Sequence, residues 1–81
     1  MLKVTVVDLQ RTLFQGQATR VICPGESGVF EIARFHRPLL SRLLSGTLVV
    51  DEQPFAIRRG IAKVLNDEVT LVVETDFERK L

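Results

Sequence analysis

The strongest constraint on the fold is a period-two alternation of apolar and polar residues that returns along the chain at intervals of roughly ten residues. It is clearest in the opening run, "LKVTVVD", which is rich in β-branched residues. Similar runs read "ATRVICP", "VFEI", "GTLVVD", "QPFAIRR", "IAKVL" and "EVTLVVE". Because turn residues separate these runs, the pattern predicts an all-β fold, an antiparallel sandwich or barrel of short strands.

Chain length and the positions of turn-forming residues predict how the strands are organised. With 81 residues the chain supplies one domain over residues 1–81, with one modest core. Pro24, Gly25 and Gly28 mark a β-turn, and Asn66-Asp67 suits a two-residue hairpin loop because both residues tolerate left-handed backbone. The charged tail, residues 75–81, is interpreted as the start of a helical region.

The segment 33–44 departs from the alternating pattern. Leu39, Leu40, Leu43 and Leu44 recur at one-turn spacing, while Pro38 stands among them. Pro is tolerated in the first turn of a helix, so both a short helix over residues 38–44 and an irregular loop fit the spacing. We expect the loop.

Charge and cysteine usage exclude several classes of protein. A formal net charge of +1 gives no broad field for a nucleic acid or an anionic membrane. No run approaches the roughly 20 apolar residues that cross a bilayer. Cys23, the one cysteine, follows an apolar residue and is expected to be a small core residue, which fits a reducing compartment.

The residues of catalysis and metal binding do not form a recognisable constellation. His36 is the one histidine, and a single cysteine provides no zinc-binding pair. Neither Ser27 nor Ser41 stands in the G-x-S-x-G pattern of a nucleophile elbow, and the "PGESG" turn lacks the Lys-Ser/Thr of a phosphate-binding loop. We therefore expect no active site, no metal and no cofactor.

Single-stranded nucleic acid is an alternative ligand. Arg34, Arg37 and Arg42, with Phe35 and His36 among them, could cradle a backbone phosphate and stack a base. Few aromatic residues lie there, and acidic residues share the same region. A protein-contact loop is the preferred interpretation, and a small β-barrel that binds single-stranded nucleic acid remains the alternative.

A set of short motifs, taken in order, carries a resemblance that runs nearly the whole chain. The segment "LFQGQATRVICPGESGVFEI" is followed by a histidine, "PLLS", "GTL", "FAIRRGIAKV" and "VTLVVE". This order resembles the N-terminal β-sandwich domain of the epsilon subunit of rotary F-type ATP synthases. The residues that match the family pattern are Leu13, Phe14, Gly16, Pro24, Gly25, Gly28, Phe30, His36, Pro38, Leu39, Leu40, Gly46, Leu48 and Gly60.

The resemblance implies a flattened sandwich of about ten strands at the foot of the central stalk. Such a domain contacts the gamma subunit and the c-ring and couples them during proton- or sodium-driven ATP synthesis or hydrolysis. It has no active site of its own, and it lies peripherally at the cytoplasmic face of the inner (plasma) membrane without inserting into it.

The resemblance implies one set of contact residues, and the crowding of apolar side chains in one loop predicts a second. In the family, the turn near residue 26 and the loop around the histidine lie toward the c-ring. Carried onto this chain, the residues on that side are Glu26, Ser27, Val29, Glu31, Arg34, His36 and Arg37. Four apolar side chains cannot all enter a small core from one loop, so some are expected to stay exposed for a partner: Phe35, Leu39, Leu40 and Leu43.

Two departures from the family pattern matter. Arg37 replaces a residue that is usually small, and His36 is therefore bracketed by Arg34 and Arg37. We expect an acidic residue of the c-subunit loop to pair with one of these arginines. Most epsilon subunits continue into a two-helix hairpin that can bind ATP, whereas this sequence stops at Leu81. We therefore expect a short or truncated form that does not bind nucleotide.

Overall fold

The computed structural model describes residues 1–75, and every regular element in that range is a β-strand. The strands are β1 (Leu2–Val7), β2 (Thr12–Ala18), β3 (Arg20–Gly25), β4 (Gly28–Ala33), β5 (Leu39–Leu43), β6 (Gly46–Val50), β7 (Gln53–Leu65) and β8 (Glu68–Thr75). The all-β prediction is confirmed, with eight strands in the described range rather than about ten. A helical start was predicted over residues 75–81, but Thr75 is the last residue of β8, and residues 76–81 lie outside the described residues.

The strands form one continuous hydrogen-bonded sheet that folds onto itself. The strand order is β2-β1-β8-β7-β5-β3-β4, and β6 pairs with both β3 and β7. All pairs are antiparallel except β1 with β8. Along one side of β7, the first part pairs with β6 and the later part pairs with β5. Because β7 belongs to both halves of the sandwich, it ties them together.

A β-bulge lets the 13-residue strand β7 face the core along its whole length. The register against β8 shifts between Ile57 and Arg59. Before the shift, Ile57 points inward, and after it Ala62 and Val64 do. Inward positions therefore change from odd to even numbers at the bulge, which leaves Arg58 on the exposed side.

Gly60 lies inside β7 and does not interrupt it, although the sequence pattern suggested two runs separated there. It sits opposite Val73, and a Cβ added at Gly60 would lie 2.7 Å from the carbonyl oxygen of Val72. The glycine is therefore needed for the close approach of β7 and β8 rather than for a turn.

The expectation of a loop over residues 38–44 is wrong, because residues Leu39–Leu43 form β5 and pair with β7. Pro38 precedes the strand, where its missing N–H costs no ladder bond. Leu43 points into the core and Leu40 points to solvent. The spacing of the leucines is thus compatible with a strand as well as with a helix. Hydrogen bonding to β7 makes this segment a strand.

The inner faces of all eight strands contribute to one core. Its sixteen buried side chains are aliphatic residues and one cysteine, and among residues 1–75 no polar side chain is buried. Cys23 is 0% exposed, which confirms its predicted place in the core. Burial raises the pKa of this thiol to about 12, so it stays protonated and unreactive at neutral pH.

Both predicted tight turns are present. Asn66 and Asp67 have φ values of 52° and 61°, as a two-residue hairpin loop between β7 and β8 requires. In the "PGESG" turn, Gly25 pairs with Gly28, whose φ of 117° is readily adopted by glycine alone. These turns fix the register of the strands on either side.

Replacing Gly60 with Ala tests the close contact between β7 and β8. The new methyl group would overlap the backbone of Val72 and the side chain of Val73, so we expect the free energy of unfolding to fall by about 2 to 4 kcal/mol. Gly16→Ala is the matched control, since its Cβ would meet only the Phe14 ring at 3.8 Å. Urea denaturation followed by circular dichroism measures both variants. Equal losses in the two variants would contradict the account.

Candidate docking surfaces

The groups that could support catalysis or metal binding are dispersed. Within residues 1–75, no cluster of three or more His, Cys, Asp and Glu side chains could hold a metal ion. The Nδ1 atom of His36 lies 2.7 Å from the carbonyl oxygen of Arg37, and the hydroxyl of Ser41 donates to the carbonyl of Arg42. No helix in the described part of the chain could cross a membrane.

The turn between β4 and β5 projects an aromatic ring into solvent. Phe35 is 79% exposed and has a φ of 65°, a left-handed conformation that bulky residues rarely adopt. Its backbone N–H donates to Oδ1 of Asp67 at 2.7 Å, so the neighbouring hairpin turn holds this conformation. The guanidinium carbon of Arg34 lies 4.5 Å from the centre of the Phe35 ring. We call residues 34–37 the Arg-Phe corner.

The predicted c-ring residues lie along β4, which is an edge strand of the sheet in the described range. Val29 and Glu31 are exposed on the outward side of β4, while Phe30 and Ile32 point inward. Glu26 and Ser27 form the turn at the start of the strand, and the Arg-Phe corner follows its end. The two ends are separated by roughly 17 Å at the usual rise of a strand. We call this line, residues 26–37, the β4 strip.

The four predicted apolar docking residues do not stay together. Phe35 and Leu40 are exposed, Leu40 by 74%. Leu39 is half-buried and packs against the core. Leu43 is 1% exposed, so the prediction that it is available to a partner is wrong. It points inward because inward and outward side chains alternate along β5.

The arginines proposed to hold a nucleic-acid phosphate are also separated. Arg34 and Arg37 lie in the Arg-Phe corner, whereas Arg42 lies near the far end of β5 and forms an ion pair with Glu26. The structure therefore does not assemble the phosphate cradle on which the nucleic-acid alternative depends.

A second apolar surface was not recognised from the sequence. Leu9, Leu44, Ile61 and Val72 line an open groove, and Leu9 is 89% exposed. Ile61 and Val72 are direct cross-strand partners on the outward face of β7 and β8, each about half exposed. We call these four residues the apolar groove. Apolar residues at outward positions of alternating strands were a local signal for such a surface. The sequence alone does not show that they cluster, because clustering depends on which strands pair.

Arginines rim the apolar groove. Arg59 donates through Nε to Oε1 of Glu74 at 2.5 Å, and Arg42 pairs with Glu26. Among residues 1–75, Arg58 forms no ion pair with an acidic side chain. The groove thus combines an apolar floor with a rim of mixed charge, the usual anatomy of a protein–protein contact.

The turn that carries Leu9 is held by an aspartate. Oδ1 of Asp8 accepts hydrogen bonds from the N–H groups of Gln10 and Arg11, at 2.8 and 2.9 Å. The hydrogen bond from Gln10 is the main reason that the pKa of Asp8 lies below its ordinary value. Leu9 is consequently presented to solvent by an ordered turn.

Comparison with known proteins places this architecture in a family. The model of the delta/epsilon chain β-sandwich domain of ATP synthase matches residues 1–79. The chain belongs to this family. Among curated relatives, the ATP synthase epsilon chains of Xanthomonas euvesicatoria and Xanthomonas axonopodis are each 39% identical over 75 residues. Each alignment covers 86% of this chain and 54% of the relative, so this family member spans about half the length of those proteins.

Solved structures share the fold of this ATP synthase delta/epsilon-family domain. A chain of the Tetrahymena thermophila mitochondrial ATP synthase central stalk and c-ring structure matches with a TM-score of 0.78 and 16% identity, covering 90% of this chain and 63% of that one. A chain of the Euglena gracilis mitochondrial ATP synthase structure matches with a TM-score of 0.82 and 15% identity, covering 89% and 49%. At these identities the likeness shows the fold.

Alanine substitutions at two leucines of β5 test their different environments in this family member. Leu43→Ala should lower the free energy of unfolding by about 2 to 5 kcal/mol, since it leaves a cavity in the core. Leu40→Ala removes the same atoms from a solvent-exposed position and should change it by less than about 0.5 kcal/mol. Thermal and urea denaturation give both values. A small loss at Leu43 would show that it is not part of the core.

Proposed function

We propose that this domain is the β-sandwich part of an ATP synthase epsilon subunit and acts in the central stalk without catalysing a reaction itself. The observation that carries the proposal is the family match over residues 1–79, together with an exposed Phe35 and an exposed Leu9 that adjoin opposite ends of β8. Two separate surfaces allow one rigid domain to contact two neighbours at once. Its role is to couple rotation of the c-ring to the gamma subunit during ATP synthesis or hydrolysis.

The apolar groove is assigned to the gamma subunit. Its floor offers Leu9, Leu44, Ile61 and Val72, and stable protein contacts are organised around apolar anchors of this kind. The arginine rim supplies orientation rather than most of the affinity. A contact of on the order of 1,000 Å² would need to extend beyond the groove over neighbouring parts of the outward face.

The β4 strip is assigned to the c-ring. It carries the residues that the family resemblance directs to that side, among them Val29, Glu31 and Arg34, all exposed. The c-ring is a membrane-embedded rotor, so a domain that docks on it lies peripherally at the membrane surface, here the cytoplasmic face. The domain would reach that position through protein contacts.

Stiffness is the physical contribution that this fold makes to coupling. Strand β7 is hydrogen-bonded to three neighbours, and both halves of the sandwich share one core. A load applied at the β4 strip is therefore transmitted to the apolar groove through ladder hydrogen bonds and close-packed side chains. No flexible hinge is needed for this role.

Reciprocal charge substitutions test the assignment of the two surfaces. Ile61→Glu places a charge in the apolar groove and should weaken binding to the gamma subunit by at least about tenfold, while c-ring binding is retained. Val29→Glu makes a similar change on the β4 strip and should weaken c-ring binding while gamma binding is retained. Surface-immobilised partners and purified variants give the affinities, and melting temperatures report on folding.

The controls are built into this pair, because each variant serves as the control for the other surface. Loss of gamma binding in Val29→Glu alone would reverse the assignment. Unchanged binding of both partners in both variants would contradict the proposed function.

A further inference from the structure

Arg34 is held in one place by a contact that leaves its hydrogen-bonding edge free. Its guanidinium carbon lies over the Phe35 ring, 4.5 Å from the ring centre, a cation–π arrangement. Within residues 1–75, the N–H groups of this guanidinium make no hydrogen bond, so they remain available. Within residues 1–75, neither Arg34 nor Arg37 forms an ion pair with an acidic side chain.

The ring under Arg34 is itself fixed by a long-range hydrogen bond. Phe35 has a φ of 65°, a left-handed conformation that is unfavourable for such a residue. The hydrogen bond from its N–H to Oδ1 of Asp67 offsets that cost. Asp67 also accepts the N–H of Lys3 through its backbone oxygen, so the corner is anchored to β1 as well as to the β7–β8 turn.

An arginine guanidinium that is held in place and forms no ion pair favours an anion that presents two oxygens side by side. Carboxylates and phosphates can both accept two parallel N–H bonds from arginine. The surroundings favour a carboxylate on a protein, because two acidic side chains lie beside the corner: Glu31 is exposed three residues before Arg34, and Asp67 binds the N–H of Phe35. These charges would repel a uniformly anionic bilayer or a nucleic-acid backbone, whereas a protein can place one acid opposite Arg34.

We propose that the stacked Arg34–Phe35 pair is a recognition site for a carboxylate side chain on the cytoplasmic loop of the c-ring subunit. This inference rests on the proposed function and adds to it the chemistry of the contact. Arg34 binds the carboxylate through its N–H edge, and Arg37 strengthens the positive potential at the same corner. Asp67 is a positioning residue, since it holds the ring on which Arg34 stacks.

The test uses the purified chain and the cognate c-ring in nanodiscs made of zwitterionic lipid. Arg34→Gln should weaken c-ring binding about 10- to 100-fold, because hydrogen bonds to charged groups are among the strong ones. Arg34→Lys keeps the charge but loses the planar fork, and it should recover less than half of the loss in binding free energy. Arg58→Gln removes an arginine at the apolar groove and should leave c-ring binding unchanged.

Two substitutions of Asp67 separate positioning from folding. Asp67→Asn keeps an oxygen acceptor and tolerates a positive φ, so c-ring binding should stay within about twofold. Asp67→Gly also accepts the positive φ but removes the acceptor for the Phe35 N–H, so binding should fall about three- to tenfold. Equal behaviour of the two variants would overturn the positioning role.

The remaining outcomes distinguish the inference from the proposed function. If wild-type chain binds gamma and the c-ring but Arg34→Gln binds the c-ring equally well, the carboxylate site is wrong and the proposed function stands. If wild-type chain binds nanodiscs of anionic lipid without a c-ring as tightly, the ligand is a lipid phosphate and the inference is overturned. If it binds neither gamma nor the c-ring, the proposed function fails as well. Replacement of each acid of the c-subunit loop by its amide should reproduce the Arg34→Gln loss at one position.

Discussion

The whole architecture depends on one long strand that pairs with three others. Strand β7 pairs with β8 on one side and with β6 and β5 in succession on the other. A bulge at Arg58 reverses its inward positions, and Gly60 allows its backbone to approach β8 closely. Without these two features, one half of β7 would turn its apolar side to solvent, and the two halves of the sandwich would not share a core.

The same pairing generates the candidate docking surfaces. The cross-strand partnership of Ile61 and Val72 creates the floor of the apolar groove, and the turn held by Asp8 adds Leu9 to it. At another part of the sandwich, the β7–β8 turn supplies the aspartate that holds Phe35. The core therefore fixes the register in which the strands pair, and that register brings together the exposed residues of each surface.

The sequence was sufficient for features that depend on neighbouring residues. Period-two alternation predicted the strands, Asn66-Asp67 predicted a hairpin, and an apolar neighbour predicted the burial of Cys23. Features that depend on distant residues were missed. The spacing of leucines around Pro38 does not show that residues 39–43 pair with β7 as a strand, and Leu43 was therefore placed among the docking candidates. The apolar groove likewise unites residues from four separate segments of the chain, and no local pattern predicts that they meet.

The most direct test of a rigid domain with two separate docking surfaces is cysteine crosslinking in the assembled complex. The native thiol of Cys23 is buried and should stay silent, so Arg37→Cys and Leu9→Cys, at exposed positions near opposite ends of β8, each provide one reactive position. With cysteines introduced along the c-subunit loop and on gamma, oxidation should link position 37 to the c subunit and position 9 to gamma. Links from both positions to the same subunit, or from neither position to any subunit, would contradict the account.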